Sequence, residues 1–267
     1  LIVHAELESP VTHKHTGDND YQTYLESRPQ SWEVEAIRMT IGLSKKTGCQ
    51  VHIVHLSAAD ALEDLVEARE QGVRITAETC PHYLMLDSEE ISKGATHFKC
   101  APPIRARENR ERLWEAVKNG LIEFIVSDHS PCTPALKLKE TGDFMKAWGG
   151  ISGLQFSTQI VWTEMRGRGM DITDLSRLMS ENTAKFVGID ARKGQIAIGC
   201  DADFVVFNPD KSYLLTEAMI QHRHKITPYL GRALFGIVDK TILRGETIYE
   251  NGKFKDKPLG HEVLRPH

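Results

Sequence analysis

Short apolar runs alternating with longer amphipathic stretches constrain this 267-residue chain more than any other feature. The runs 1–5, 51–56, 73–77 and 124–127 are rich in β-branched or aromatic residues, the composition of strands that pack on both faces. Between the first two, 33–46 sets Val34, Ile37 and Ile41 on one helical face and stops before Gly48, where a left-handed residue closes a helix. The stretches 60–70, with Leu62, Leu65 and Val66, and 107–118, with Leu113 and Val117, repeat the pattern and close at Gly72 and Gly120. A later helix over 171–187 turns Leu175, Leu178 and Met179 inward, with Asp171 or Thr173 as its cap. This alternation predicts an α/β fold on a parallel sheet. A (β/α)8 barrel needs eight strands and about 250 residues; residues 1–190 supply about half of one.

After Arg192 the pattern turns to β, with strands expected at 194–196, 203–207, 240–243 and 247–249 between glycine- or proline-containing turns. Residues 191–267 are therefore expected to form a second, smaller β domain ending in a tail from Lys255. The chain opens Leu1-Ile2-Val3-His4 without an initiator Met, inside what reads as a buried strand, so it is expected to be a fragment or a cleaved product.

Thirty-three Lys and Arg against 37 Asp and Glu leave a formal charge of -4 without long blocks of either sign. That balance speaks against nucleic acid or anionic lipid as a partner and suits a small neutral substrate. Five cysteines, an odd number without C-x-x-C spacing, point to reduced thiols and an intracellular, by default cytoplasmic, protein. No apolar run reaches the roughly 20 residues that cross a bilayer.

Three of the four apolar runs stop at a residue able to bind metal: Leu-Ile-Val-His4, Val-His-Ile-Val-His55 and Phe-Ile-Val-Ser-Asp128. Parallel barrels carry their chemistry at the C-terminal ends of strands. Strand parity puts His55 on the face of Ile53 and Val51, and His52 on the other, against the helical layer. Two imidazoles and a carboxylate suit zinc or a similar divalent ion, and a carboxylate so placed serves as general base. Alone, each of these is more often a structural residue; together they point to one site. For Cys80-Pro81-His82-Tyr83, which lacks a partner cysteine, the plainer expectation is a proline turn with packed thiol and imidazole. Lys99 and Arg105 bracket Cys100-Ala101-Pro102-Pro103-Ile104 and are expected to be solvated charges. His129 is expected to support the site, and His222-Arg223-His224 to be structural or interfacial. Gly149-Gly150 permits close backbone approach to a ligand. Walker-type, dinucleotide and G-x-S-x-G motifs are absent from the sequence, which disfavours phosphate, NAD and acyl-enzyme chemistry.

In this order, Leu-Ile-Val-His4-Ala-Glu, Val-His-Ile-Val-His55-Leu-Ser, Cys80-Pro-His-Tyr, Lys99-Cys-Ala-Pro-Pro-Ile-Arg105 and Val-Ser-Asp128-His-Ser-Pro-Cys132 resemble the cyclic amidohydrolases. That group includes dihydroorotases, dihydropyrimidinases with hydantoinases, and the enzymes that open allantoin. Residues 127–132, 145–155 and 222–231 are similar to the allantoin-opening branch in particular. The resemblance implies the C-terminal portion of a metal-dependent hydrolase barrel, strands five to eight, followed by a β-sandwich segment. It implies two divalent ions, zinc by type, bridged by a carboxylated lysine at the end of the fourth barrel strand and held also by a His-x-His at the end of the first, none of which is in this sequence. His4 and His55 would then hold the more exposed ion and Asp128 the more buried one, with Asp128 also carrying the proton. Backbone groups at Ala101 and Gly149 would hold the ring amide, and a homotetramer is implied.

Overall fold

The computed structural model describes residues 1–10 and 16–264. In chain order these form β1 (Ile2–Val3), α1 (Tyr21–Ser27), α2 (Gln30–Thr47), β2 (Val51–Ile53), α3 (Leu62–Glu70), β3 (Ile75–Thr79), α4 (Pro81–Met85), α5 (Arg107–Lys118) and β4 (Phe124–Ile125). The helices α6 (Ser157–Met165), α7 (Ile172–Ser176) and α8 (Asn182–Val187) follow, then the strands β5 (Phe204–Leu214), β6 (Ala233–Leu243), β7 (Glu246–Glu250) and β8 (Lys253–Phe254). Strands β1 to β4 lie side by side in sequence order, all parallel. Strands β5 to β8 form one antiparallel sheet.

The four expected parallel strands are present, β1, β2 and β4 shorter than their apolar runs and β3 displaced two residues onward, where Glu78 and Thr79 pair with Phe124 and Ile125. The helix expected over 33–46 runs from Gln30 to Thr47 and closes on Gly48 at φ 69°. Its inward face is Val34, Ala36, Ile37 and Ile41, all buried. Helix α5 has the expected bounds, and its Leu113 and Val117 are fully buried. The single helix expected over 171–187 is instead three pieces, with a π segment at Arg177–Glu181 between α7 and α8. Asp171 caps it by accepting from the Thr173 and Asp174 amides, and Asp174 returns the bond.

The chain divides into two compact units, residues 1–157 with 216–230, and residues 158–215 with 231 onward. The expected boundary at 190 falls inside the second unit, because α6 is bonded to the antiparallel strands. Trp162 Nε1 donates to the Pro209 carbonyl over 2.9 Å, and the Phe235 amide donates to Thr163 Oγ1 over 2.8 Å. At Gly236, φ 95°, an added Cβ would sit 2.1 Å from the Phe207 ring, so only glycine fits. The strand expected at 194–196 is a loop: Gly194 and Gly199 take φ of 86° and 94°, and Lys193 pairs with Asp201 and Asp203. In the second unit a cavity of about 560 Å³ is lined mainly by apolar side chains such as Leu175, Met179, Phe204 and Val238. Its two carboxylates, Asp201 and Asp203, are those paired to Lys193, so it holds no free donor set. Among the described residues no helix is long and apolar enough to cross a membrane.

Candidate metal centre

Every strand of the parallel sheet is followed within three residues by a side chain able to bind metal. His4 comes directly after β1, His55 two residues after β2, Cys80 directly after β3 and Asp128 three residues after β4. The register pairs Val3 with Ile53, Ile53 with Ala77 and Thr79 with Ile125, so all four residues leave the sheet at its C-terminal edge. His55 and Asp128 have φ of 42° and 41°, a left-handed backbone that costs a non-glycine residue about 1–3 kcal/mol.

His4 Nδ1 and His55 Nε2 are 2.9 Å apart, and the two rings meet edge to face with centroids 4.7 Å apart. The other His4 nitrogen lies 3.0 Å from Glu6 Oε2, and Arg28 Nε donates to Glu6 Oε1 over 3.1 Å. A carboxylate at the far nitrogen fixes the tautomer and ring orientation of a ligating histidine. Burial tends to raise the Glu6 carboxyl, but His4 and Arg28 outweigh it and hold it below the ordinary carboxylate range. For His55, burial and then the His4 ring push the imidazole below its usual value, against the pull of the Asp128 charge. Its Nδ1 is buried without a hydrogen-bond partner.

The residues set aside as a proline turn join this edge. Among the described residues, Cys80, His82 and Asp128 form a group of three whose donor atoms all lie within 4.8 Å of one another. The expected trio His4, His55 and Asp128 does not form such a group; Asp128 is grouped with Cys80 and His82, and its charge also acts on His55. His82 is fully buried with neither ring nitrogen paired, and burial, then the His55 charge, hold its imidazole down to about 3. The expected proline turn with packed thiol and imidazole is present, with Pro81 opening α4 and both side chains buried.

His52 is buried as parity requires, with partners on the neighbouring strands. Its Nδ1 lies 2.7 Å from Thr76 Oγ1, its Nε2 3.1 Å from Glu78 Oε2, and its ring stacks on Phe124. His129 Nδ1 accepts from the Leu154 amide over 3.3 Å, and its ring meets that of His222 at 5.6 Å. The segment 216–230 belongs to the first unit, and through it His222, expected to be structural or interfacial, meets the residue next to Asp128.

Lys99 and Arg105 are buried, not solvated. Arg105 Nη2 donates to Glu33 Oε2 over 2.7 Å. Lys99 Nζ donates to the carbonyls of Met145 and Ala147 at 3.1 and 2.7 Å. Lys137, also buried, donates to Lys99, Trp148 and Gly150 at 3.2, 3.0 and 2.6 Å. Two ammonium groups thus tie the backbone of 99–101 to that of 145–150. Tyrosine hydroxyls donate to further carbonyls of the loop: Tyr24 to Cys100, Tyr83 to Pro102 and Tyr21 to Ile104, at 2.7, 2.7 and 2.9 Å. Ala101 and Gly149 meet here, since a Cβ on Gly149 would stand 3.7 Å from the Ala101 nitrogen. Gly150 must be glycine, because its Cβ would come within 2.4 Å of the Ser130 carbonyl oxygen.

The sequence profile of the amidohydrolase family matches residues 2–248. The chain belongs to that family. Among curated amidohydrolase relatives, an allantoinase of Streptomyces avermitilis is 46% identical over 266 residues, covering 99% of this chain and 59% of the relative. A probable allantoinase 2 of Dictyostelium discoideum is 46% identical over 279 residues, covering 99% of this chain and 55% of the relative. Of solved structures, the L-hydantoinase (dihydropyrimidinase) from Arthrobacter aurescens superposes with a TM-score of 0.86 at 29% identity, covering 95% of this chain and 58% of that one. The dihydropyrimidinase from Brevibacillus agri NCHU1002 gives 0.82 at 31% identity, covering 89% and 52%. The chain thus spans a little over half the length of these relatives.

Amidohydrolases generally bind divalent metal ions, and the residues present fit that requirement. His4 and His55 put two ring nitrogens 2.9 Å apart, close enough to face one cation through bonds of about 2.0–2.1 Å.

Proposed function

We propose that the protein containing this chain opens the hydantoin ring of allantoin by metal-dependent hydrolysis, giving allantoate in purine breakdown. The observation that carries the reading is the His4 to His55 contact at the C-terminal edge of the parallel sheet, with the Asp128 charge acting on His55. The allantoinases at 46% identity favour this ring over others. In this reading the parallel sheet is strands five to eight of a (β/α)8 barrel, and the antiparallel sheet belongs to a β-sandwich domain.

His4 and His55 would hold one divalent ion, zinc by donor preference, and Asp128 a second; a carboxylated lysine and a His-x-His outside this sequence complete the set. When bound, the ions supply Lewis acidity and lower the pKa of water. Asp128 takes the proton of the attacking water and delivers it to the ring nitrogen as the C–N bond breaks. The main chain at Ala101 and Gly149 hydrogen-bonds the ring amide, held rigid by Lys99, Lys137 and the tyrosine pins. Glu6 keeps His4 in one tautomer. By family likeness the assembly is a homotetramer.

The test is allantoin turnover by the full-length protein loaded with zinc, cobalt or manganese. Allantoate release is expected, and Asp128→Asn lowers kcat by about 10²–10⁴-fold while circular dichroism stays unchanged. Full turnover by that variant removes the proton carrier assigned here. The structural likeness to hydantoinases and dihydropyrimidinases supports a second reading, another cyclic amide as the preferred ring, and a panel of allantoin, dihydrouracil, 5-substituted hydantoins and dihydroorotate separates the two. A metal-free scaffold of the same fold would show neither bound metal nor turnover.

A further inference from the structure

We infer that Cys80, His82 and Asp128 form a metal site of their own, which takes a thiophilic divalent cation through sulfur, imidazole nitrogen and carboxylate oxygen. The three donor atoms lie within 4.8 Å of one another, and they come from two segments, the junction of β3 with α4 and the stretch after β4. Cys80 is extended at the end of β3 and serves as N-cap of α4, Pro81 opens the helix, and His82 stands in its first turn. Proline at that position fixes the step from thiol to imidazole. Asp128 arrives from the left-handed residue beyond β4.

A packed structural histidine would have its ring nitrogens satisfied, as the great majority of buried polar groups do. His82 has neither satisfied although it is only 1% exposed, and Cys80 is fully buried beside it. An unpaired buried donor or acceptor costs about 1–3 kcal/mol, so the group is built for a partner it does not find within the protein. Sulfur, nitrogen and oxygen together select zinc, cobalt or cadmium over magnesium or calcium. Binding displaces the Cys80 thiol proton to solvent, one proton per ion, and the thiolate coordinates. Half-buried Asp128 is the entry side. The site is distinct in donor type from the proposed hydrolytic pair of ions, whose residues in this chain are His4, His55 and Asp128; it shares only Asp128 with them.

The experiment is a cobalt(II) titration of the protein followed by absorption. Thiolate-to-cobalt charge transfer in the near ultraviolet arises only where sulfur is bound, and imidazole and carboxylate sites lack it. The band is expected in the wild type and lost in Cys80→Ser, with His82→Asn weakening binding about 10–100-fold or more. Absence of the band in the wild type, or its persistence in Cys80→Ser, overturns the proposal. If Cys80→Ser does not fold, zinc-edge X-ray absorption of the wild type decides: a sulfur shell at about 2.3 Å supports the site, and nitrogen and oxygen shells alone overturn it. Failure of the hydrolase reading would appear as absent turnover with the band intact, and failure of this one as turnover without the band.

Discussion

Glu33 is 2% exposed and every bond it makes is to a group as buried as itself. Its Oε1 accepts from the amides of Ser57 and Ala58 at 3.0 and 3.1 Å, and its Oε2 from Arg105 at 2.7 Å. Removing one partner of such a pair strands the other charge away from water, at about 3–5 kcal/mol. Glu33→Ala should lower the free energy of unfolding by that order in urea titrations; a loss under about 1 kcal/mol would mean that water reaches Arg105. Lys99 behaves differently because it binds only carbonyls. Burial first, then the charges of Arg28 and Lys137, hold its ammonium down to about 8 from 10.5. Between those values the unfolded chain keeps the proton that the folded chain has released, so raising the pH through this window favours folding. The stability of wild type relative to Lys99→Met should therefore rise from pH 8 to 10.5, and a flat difference would place the ammonium in solvent.

At the scale of elements, the loop 99–104 is held by two lysines and three tyrosines that hydrogen-bond to or from it. If its backbone holds substrate, loosening it should weaken binding before it slows chemistry. Lys137→Met is expected to raise KM for the ring substrate about 10-fold, the ~1.4 kcal/mol of one hydrogen bond to a charged group, with kcat changed less. Faster amide exchange at Gly150 should accompany it, and an unchanged KM would separate the clamp from the site. In the second unit, Gly236→Ala forces a Cβ into Phe207 and Trp162 at a left-handed φ; a fall in melting temperature is expected, since a strained overpacked site costs about 1–3 kcal/mol.

For the whole molecule, bound metal stabilises by mass action, about 2.7 kcal/mol at 100 times Kd. Chelation of the full-length protein should lower its melting temperature, and zinc should restore it; equal temperatures with and without chelator would leave the donors without an ion. That His4, His55 and Asp128 leave the sheet at one edge was legible in the sequence, because each ends an apolar run and a parallel sheet brings such ends together. Arg105 and Lys99 were not, because their partners lie 72 and 46 or 48 residues away and local sequence carries no trace of them. The contact of His222 with His129 was illegible for a similar reason: residues 216–230 return to the first unit after the chain has built strand β5 of the second. The π segment at Arg177–Glu181 escaped because one extra residue in a turn hardly disturbs a helical pattern of apolar side chains.

The left-handed backbone at His55 and Asp128 narrows what evolution can try at these positions. Asparagine, aspartate, histidine and glycine tolerate that conformation, whereas valine, isoleucine and threonine meet a steric wall before their chemistry is tested. Neutral drift away from a ligand is thereby slowed by geometry as well as by selection, and a descendant that had abandoned catalysis would still carry small polar residues or glycine at both strand ends.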